Sequence, residues 1–169
     1  MEMERKQQDS WEVVFDHACL AHRNSNYMQA ERLYTLALAS AVNRGLKNEK
    51  VANLFYQMGM LYKDQNCWQK AEQALVESLI MFDASKASCD IDKAIALTEL
   101  SEILRYQNKY RQSSLVAAEA HRLIQNSRTH LEKCLVKCEE QGSVRNACKK
   151  QVFLRFMEWA CRLKNRAIA

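Results

Sequence analysis

A chain of 169 residues with no proline and only three glycines lacks the turn chemistry that a sheet protein needs, so it reads as all-helical. It is long enough to bury a core unaided, so its seven cysteines, odd in number and scattered, read as reduced core thiols rather than a disulfide framework. The net charge of +5 is uneven: Ser127 to Ala169 hold ten Lys/Arg against four Asp/Glu, and the rest of the chain fifteen against sixteen. The basic excess therefore sits entirely at the C-terminal end, where nucleic acid, an anionic surface or an acidic protein would meet it. Met1 to Ser10 is charged with no signal-type apolar run behind it, and no stretch reaches the roughly 18 apolar residues of a membrane span. A soluble, cytoplasmic chain in a reducing compartment is expected.

The first helical hairpin is expected over about 11–43. Asp9 or Ser10 is placed to cap its first helix, and Tyr27 opens its second, which carries Ala30, Tyr34 and Ala37 on one face. Gly45 marks a helix stop and Asn48 the next start. The second hairpin, over about 48–83, carries Phe55, Met58, Gly59 and Tyr62 on its first helix, then Trp68, Ala71 and Leu75 on its second. Gly59 and Ala71 are small enough for two helix backbones to approach at a crossing, while Tyr62 and Trp68 fill the wider gaps beside it. The first hairpin keeps this pattern weakly, with His17, Ala18 and Ala21 where Met58, Gly59 and Tyr62 stand.

Asp90 starts the third hairpin, over about 90–125, with Leu97, Leu100, Ser101 and Leu104, then Tyr110, Ser113, Ala117 and Ala120. Each hairpin turns on polar residues just before an aromatic: RNSNY ending at Tyr27, DQNCW at Trp68 and YQNKY at Tyr110. These aromatics are 41 and 42 residues apart. Residues 127–169 form a separate basic region. There Thr129-His-Leu-Glu132 reads as a capping box opening a helix that Gly142 and Ser143 break, followed by a last helix over about 144–164. Its wide apolar face, with Phe153, Phe156 and Trp159 as anchors, would either cap the open end of the hairpin stack or form a dimer or partner surface.

The set Phe55, Met58, Gly59, Tyr62, Ala71 and Leu75 resembles the tetratricopeptide repeat, and the pattern recurs over about Trp11 to Gln125 with a longer period than the usual 34. The small-residue and aromatic spacing argues against the HEAT or armadillo alternative that a period above 40 invites. The resemblance implies antiparallel hairpins stacked as a right-handed α-solenoid, about eight helices with the C-terminal pair. It also implies a non-enzymatic adaptor whose first helices line a concave groove for a partner protein.

Inward positions carried over from the family are Glu12, Phe15, Cys19, His22 and Arg23 in the first unit. The second supplies Asn53, Tyr56, Met60, Lys63 and Asp64, and the third Ile95, Thr98, Glu102, Arg105 and Tyr106. His22, Lys63 and Arg105 are equivalent and form a basic row, with Arg23 adjacent, for the carboxylates of an acidic or amphipathic segment. The carboxylate clamp of chaperone-binding repeat proteins is not reproduced.

Candidates for chemistry mostly dissolve. His130, Cys134 and Cys138 share a helix face and Cys148 follows, yet the compact cysteine pairs of zinc modules are absent, so no metal is expected. Cys19 and His22 are neighbours without a strained nucleophile turn, phosphate-cradling glycine loops are missing, and neither enzymatic activity nor a cofactor is expected. The other function class open to the chain is a nucleic-acid-binding or effector-sensing regulator that uses the basic C-terminal helices.

Overall fold

A computed structural model describes residues 2–46, 48–85 and 90–140, with side chains from Trp11 to Thr129. The described residues form six α-helices and no strand: α1 (Glu2–Arg23), α2 (Tyr27–Asn43), α3 (Asn48–Asp64), α4 (Trp68–Asp83), α5 (Asp90–Tyr106) and α6 (Tyr110–Glu140). The chain divides into two compact units, residues 1–120 and 121–169. Of the second unit, only the α6 backbone to Glu140 and the side chains to Thr129 are described.

Helix starts at Tyr27, Asn48, Trp68, Asp90 and Tyr110 fall where the sequence pattern predicts them. Two ends differ. α1 begins at Glu2, because the run EMERKQQ consists of strong helix formers and nothing stops a helix there; Asp9 and Ser10 lie within the helix rather than at its start. α6 runs through Asn126 without a break, and the Thr129 hydroxyl donates back to the Asn126 carbonyl at 2.9 Å, so the expected capping box lies within a helix. The helix expected over 144–164, with Phe153, Phe156 and Trp159, lies outside the described residues, as does Cys148.

The three hairpin turns share one construction. Ser25, Asn66 and Asn108 have φ of 59°, 58° and 61°. At each, one amide bonds three residues back and the next bonds five back: Ser25 to His22 and Asn26 to Ala21, Asn66 to Lys63 and Cys67 to Tyr62, Asn108 to Arg105 and Lys109 to Leu104. These are the paired bonds of a Schellman ending, which satisfy carbonyls orphaned at a helix C-terminus. The following helix begins at once, with Ala30, Ala71 and Ser113 donating to the carbonyls of Asn26, Cys67 and Lys109. A left-handed residue thus ends one helix and aims the next. Gly45, at φ 60°, ends α2 in the same way.

Packing in the first unit follows the predicted crossings. A Cβ on Gly59 would lie 2.9 Å from both Cγ and Cδ2 of the fully buried Leu75, so α3 and α4 approach as closely as a missing side chain allows. Beside that crossing the buried Ser78 hydroxyl donates to the Ala52 carbonyl at 2.9 Å. In the third pair Ser113 takes the place of Ala71 and donates to the Ser101 carbonyl at 2.7 Å, tying α6 to α5. One core cluster joins α1, α2 and α3 through Trp11, Ala18, Ala30, Tyr34, Ala37, Leu54 and Leu61. A second joins α4 and α5 through Ala71, Leu75, Leu100, Ile103 and Leu104, with Val116 of α6 and Tyr56 and Tyr62 of α3 against it. Burying each such Leu or Ile contributes roughly 1.5–3 kcal/mol, so the helices are held chiefly by their neighbours rather than by intrinsic propensity.

Candidate functional site

The first helices of the three hairpins are tied to one another. His22 Nε2 of α1 lies 2.9 Å from Asp64 Oδ2 of α3, and Lys50 of α3 reaches back to Glu12 of α1 at 3.2 Å. Lys63 of α3 lies 2.5 Å from Glu99 of α5 and also bonds Glu102. His22 and Lys63, each in the last turn of its helix, meet acids of the following hairpin, while Lys50, in the first turn of α3, meets an acid of the preceding one.

The basic row is therefore largely engaged within the chain. His22 and Lys63 have side chains only 13% and 18% accessible, whereas Arg105 is exposed and in no ion pair among the described residues. Burial works against the Lys63 charge, but hydrogen bonds to Glu102 and Glu99 outweigh it and hold the ammonium above its ordinary range. Arg23 is exposed beyond His22. Thr98 is turned inward on its own helix, donating to the Ala94 carbonyl at 2.7 Å.

The aromatic candidates separate into core and surface. Phe15 packs against the first core cluster, tilted on Trp11 and Tyr34 at 6.3 and 6.0 Å between ring centroids. Tyr56 is half-buried against the second cluster; burial, reinforced by Glu99 and opposed by Lys63, pushes its hydroxyl up to about 12. Tyr106 is 59% exposed and stacks on Trp68, ring centroids 4.6 Å apart and planes within 10°. Trp68, expected only to fill a gap, thus carries the exposed ring of the next hairpin.

Next to this stack an open cleft of about 600 Å³ is lined by Trp68, Asn66, Cys67, Gln69, Lys70, Gln107 and Lys109. Lys109 spans to Glu72 at 2.8 Å; burial opposes the Glu72 charge, but the Lys109 bond helps hold that carboxyl below its ordinary range. Lys70 lies over the Tyr62 ring at 5.2 Å, and the Tyr62 hydroxyl donates to Glu31 at 2.8 Å. The repeated turn motif was the available sign that residues 41 or 42 apart would line one edge.

The Tyr34 hydroxyl points to Cys19 Sγ at 3.5 Å, and His22 is turned to Asp64, so the two neighbours in sequence do not form a couple. Among the described residues no three His, Cys, Asp or Glu are placed to hold a metal, and no helix is long and apolar enough to cross a membrane. His130, Cys134 and Cys138 fall where only the α6 backbone is described. No protein-family model matches the chain, and no curated protein matches it.

Proposed function

We propose that the first unit is a right-handed stack of three tetratricopeptide-like hairpins that serves as a non-enzymatic adaptor. It holds an acidic or amphipathic segment of a partner protein on the face built by α1, α3 and α5. The observation that carries this reading is the recurrence of one hairpin, with left-handed turn residues at Ser25, Asn66 and Asn108 in a single register. Stacked units of this kind present an extended face whose specificity lies in a few side chains.

With His22 and Lys63 engaged internally, the cations left for a partner's carboxylates are Arg105 at one end of the row and Arg23 at the other. Arginine suits this task, since its planar fork binds a carboxylate through two parallel hydrogen bonds. Tyr106, held flat by Trp68, offers apolar contact beside it at little entropic cost.

Selecting peptides from a random display library on the full chain tests the proposal. Enrichment of acidic sequences carrying apolar residues is expected. Arg105→Glu is then expected to weaken the selected peptides by about 2–5 kcal/mol. Arg32→Glu, on the outer side of α2, leaves them nearly unchanged. Equal loss in both variants would reduce the effect to net charge, and failure to enrich any peptide would count against the adaptor reading. The nucleic-acid alternative rests on residues 127–169, which lie mostly outside the described residues, and no observation in the first unit favours it.

A further inference from the structure

On each first helix, one face is turned toward the hairpin before it. In α5 that face is Ala96, Leu100 and Ile103, all buried, and in α3 it is Leu54, Met58 and Leu61, with both leucines fully buried. The same register in α1 falls on Val13, His17 and Leu20, and here Val13 is 47% and Leu20 56% exposed. Single exposed leucines are ordinary on a protein surface. These two, however, occupy positions whose counterparts are core residues in both other hairpins. Asp16 and His17, also exposed, lie between them on the same face, at i, i+3, i+4 and i+7 from Val13 to Leu20.

We propose that this face of α1 is covered by α1 of a second copy of the chain, antiparallel about a two-fold axis between Asp16 and His17. The spacing specifies that occupant. An antiparallel pairing centred there brings Val13 against Leu20 of the second copy and Asp16 against its His17, and the symmetry repeats both contacts. Apolar residues meet apolar ones and the acid meets the imidazole, so the surface is complementary to itself, as an isologous two-fold interface requires. A shift of three or four residues in either direction, which keeps the same faces together, sets Asp16 or His17 against Val13 or Leu20. A closed pair also removes the apolar face from solution, whereas head-to-tail stacking of whole chains would leave it open at one end of every filament.

Sedimentation velocity of the full chain over a range of concentrations tests this, with far-ultraviolet circular dichroism to confirm unchanged helix content. A monomer–dimer equilibrium is expected. Leu20→Glu raises the dissociation constant by at least about 30-fold, as loss of a central interface contact does. His17→Glu sets two carboxylates against each other and also weakens the dimer, while Asp16→Lys combined with His17→Glu restores it by exchanging the partners. A chain that stays monomeric, or a dimer indifferent to Leu20→Glu, would overturn the proposal. So would an exchange of charges that fails to restore association.

Discussion

α1 and α3 are the same helix in two surroundings. Over 41 residues Val13 becomes Leu54, Phe15 becomes Tyr56, Ala18 becomes Gly59, Leu20 becomes Leu61 and His22 becomes Lys63. α3 is covered on both sides, by α2 through Leu54 and Leu61 and by α4 through Gly59, so none of its apolar side chains is exposed. α1 shares the crossing, with Ala18 fully buried, but leaves Val13 and Leu20 half in solvent. Burial therefore follows from position in the row of hairpins rather than from residue type. A given leucine is worth whatever its neighbours cover.

The sharpest expression of this difference is a matched pair of substitutions. Leu61→Ala, at a fully buried site between α2 and α3, is expected to cost about 2–5 kcal/mol, counting the cavity left behind. Leu20→Ala, its exposed counterpart, stays within about 0.5 kcal/mol at protein concentrations where the chain is monomeric. Denaturant unfolding measures both, and similar costs would break the comparison.

The ionic links scale in the same way. Lys63→Met leaves the Glu99 carboxylate, only 12% accessible, without its main partner, and a loss of about 1–3 kcal/mol is expected. The equivalent His22→Phe strands Asp64, which is 50% accessible and can be hydrated, so the loss stays under about 1 kcal/mol. An alkaline titration separates the helices further. Burial, with the Glu31 hydrogen bond at Tyr62 and the Glu99 charge at Tyr56, pushes both hydroxyls of α3 from 10.0 up to about 12. The folded chain then keeps protons that the unfolded chain has lost, so their contribution is intact below pH 10 and fades as pH rises toward 12. α1 has Phe15 and Ala21 at these positions. Tyr56→Phe, which gives α3 the residue α1 already has, is expected to flatten the fall in stability with rising pH.

The smallest expected effect lies in the turns. Ser25 holds the left-handed conformation without the side-chain amide that helps Asn66 and Asn108 tolerate it. Relief of that strain exceeds the entropy a glycine adds, so Ser25→Gly is expected to stabilise by about 0.5 kcal/mol in thermal unfolding. Asn66→Gly should gain less.

The hairpin boundaries were legible because turn formers and aromatics recur in phase, and local chemistry sets both. The crossing of α3 and α4 was legible too, since only a pair as small as Gly59 and Ala71 permits it. The end of α6 was not. Thr129 and Glu132 have the spacing of a capping box, but the same residues sit comfortably inside a helix when the Thr hydroxyl bonds its own backbone. The basic row was legible as a register, but the ion pairs that His22 and Lys63 make within the chain were not. Asp64 and Glu102 appeared among the same inward positions as His22 and Lys63, yet pairing across hairpins depends on side-chain reach between helices, which no local spacing encodes.

The claim on which the rest depends is that the hairpin closes where Gly59 meets Leu75, and a double-mutant cycle at those two residues tests it most directly. Alanine is a better helix former than glycine by about 1 kcal/mol. In the native background, however, its methyl group must displace the Leu75 side chain, and overpacking of this kind costs about 1–3 kcal/mol. Gly59→Ala is therefore expected to destabilise the native chain and to stabilise the Leu75→Ala variant, where the obstructing side chain is gone. The same change in free energy in both backgrounds would mean that the two residues do not touch, and the hairpin register would have to be abandoned.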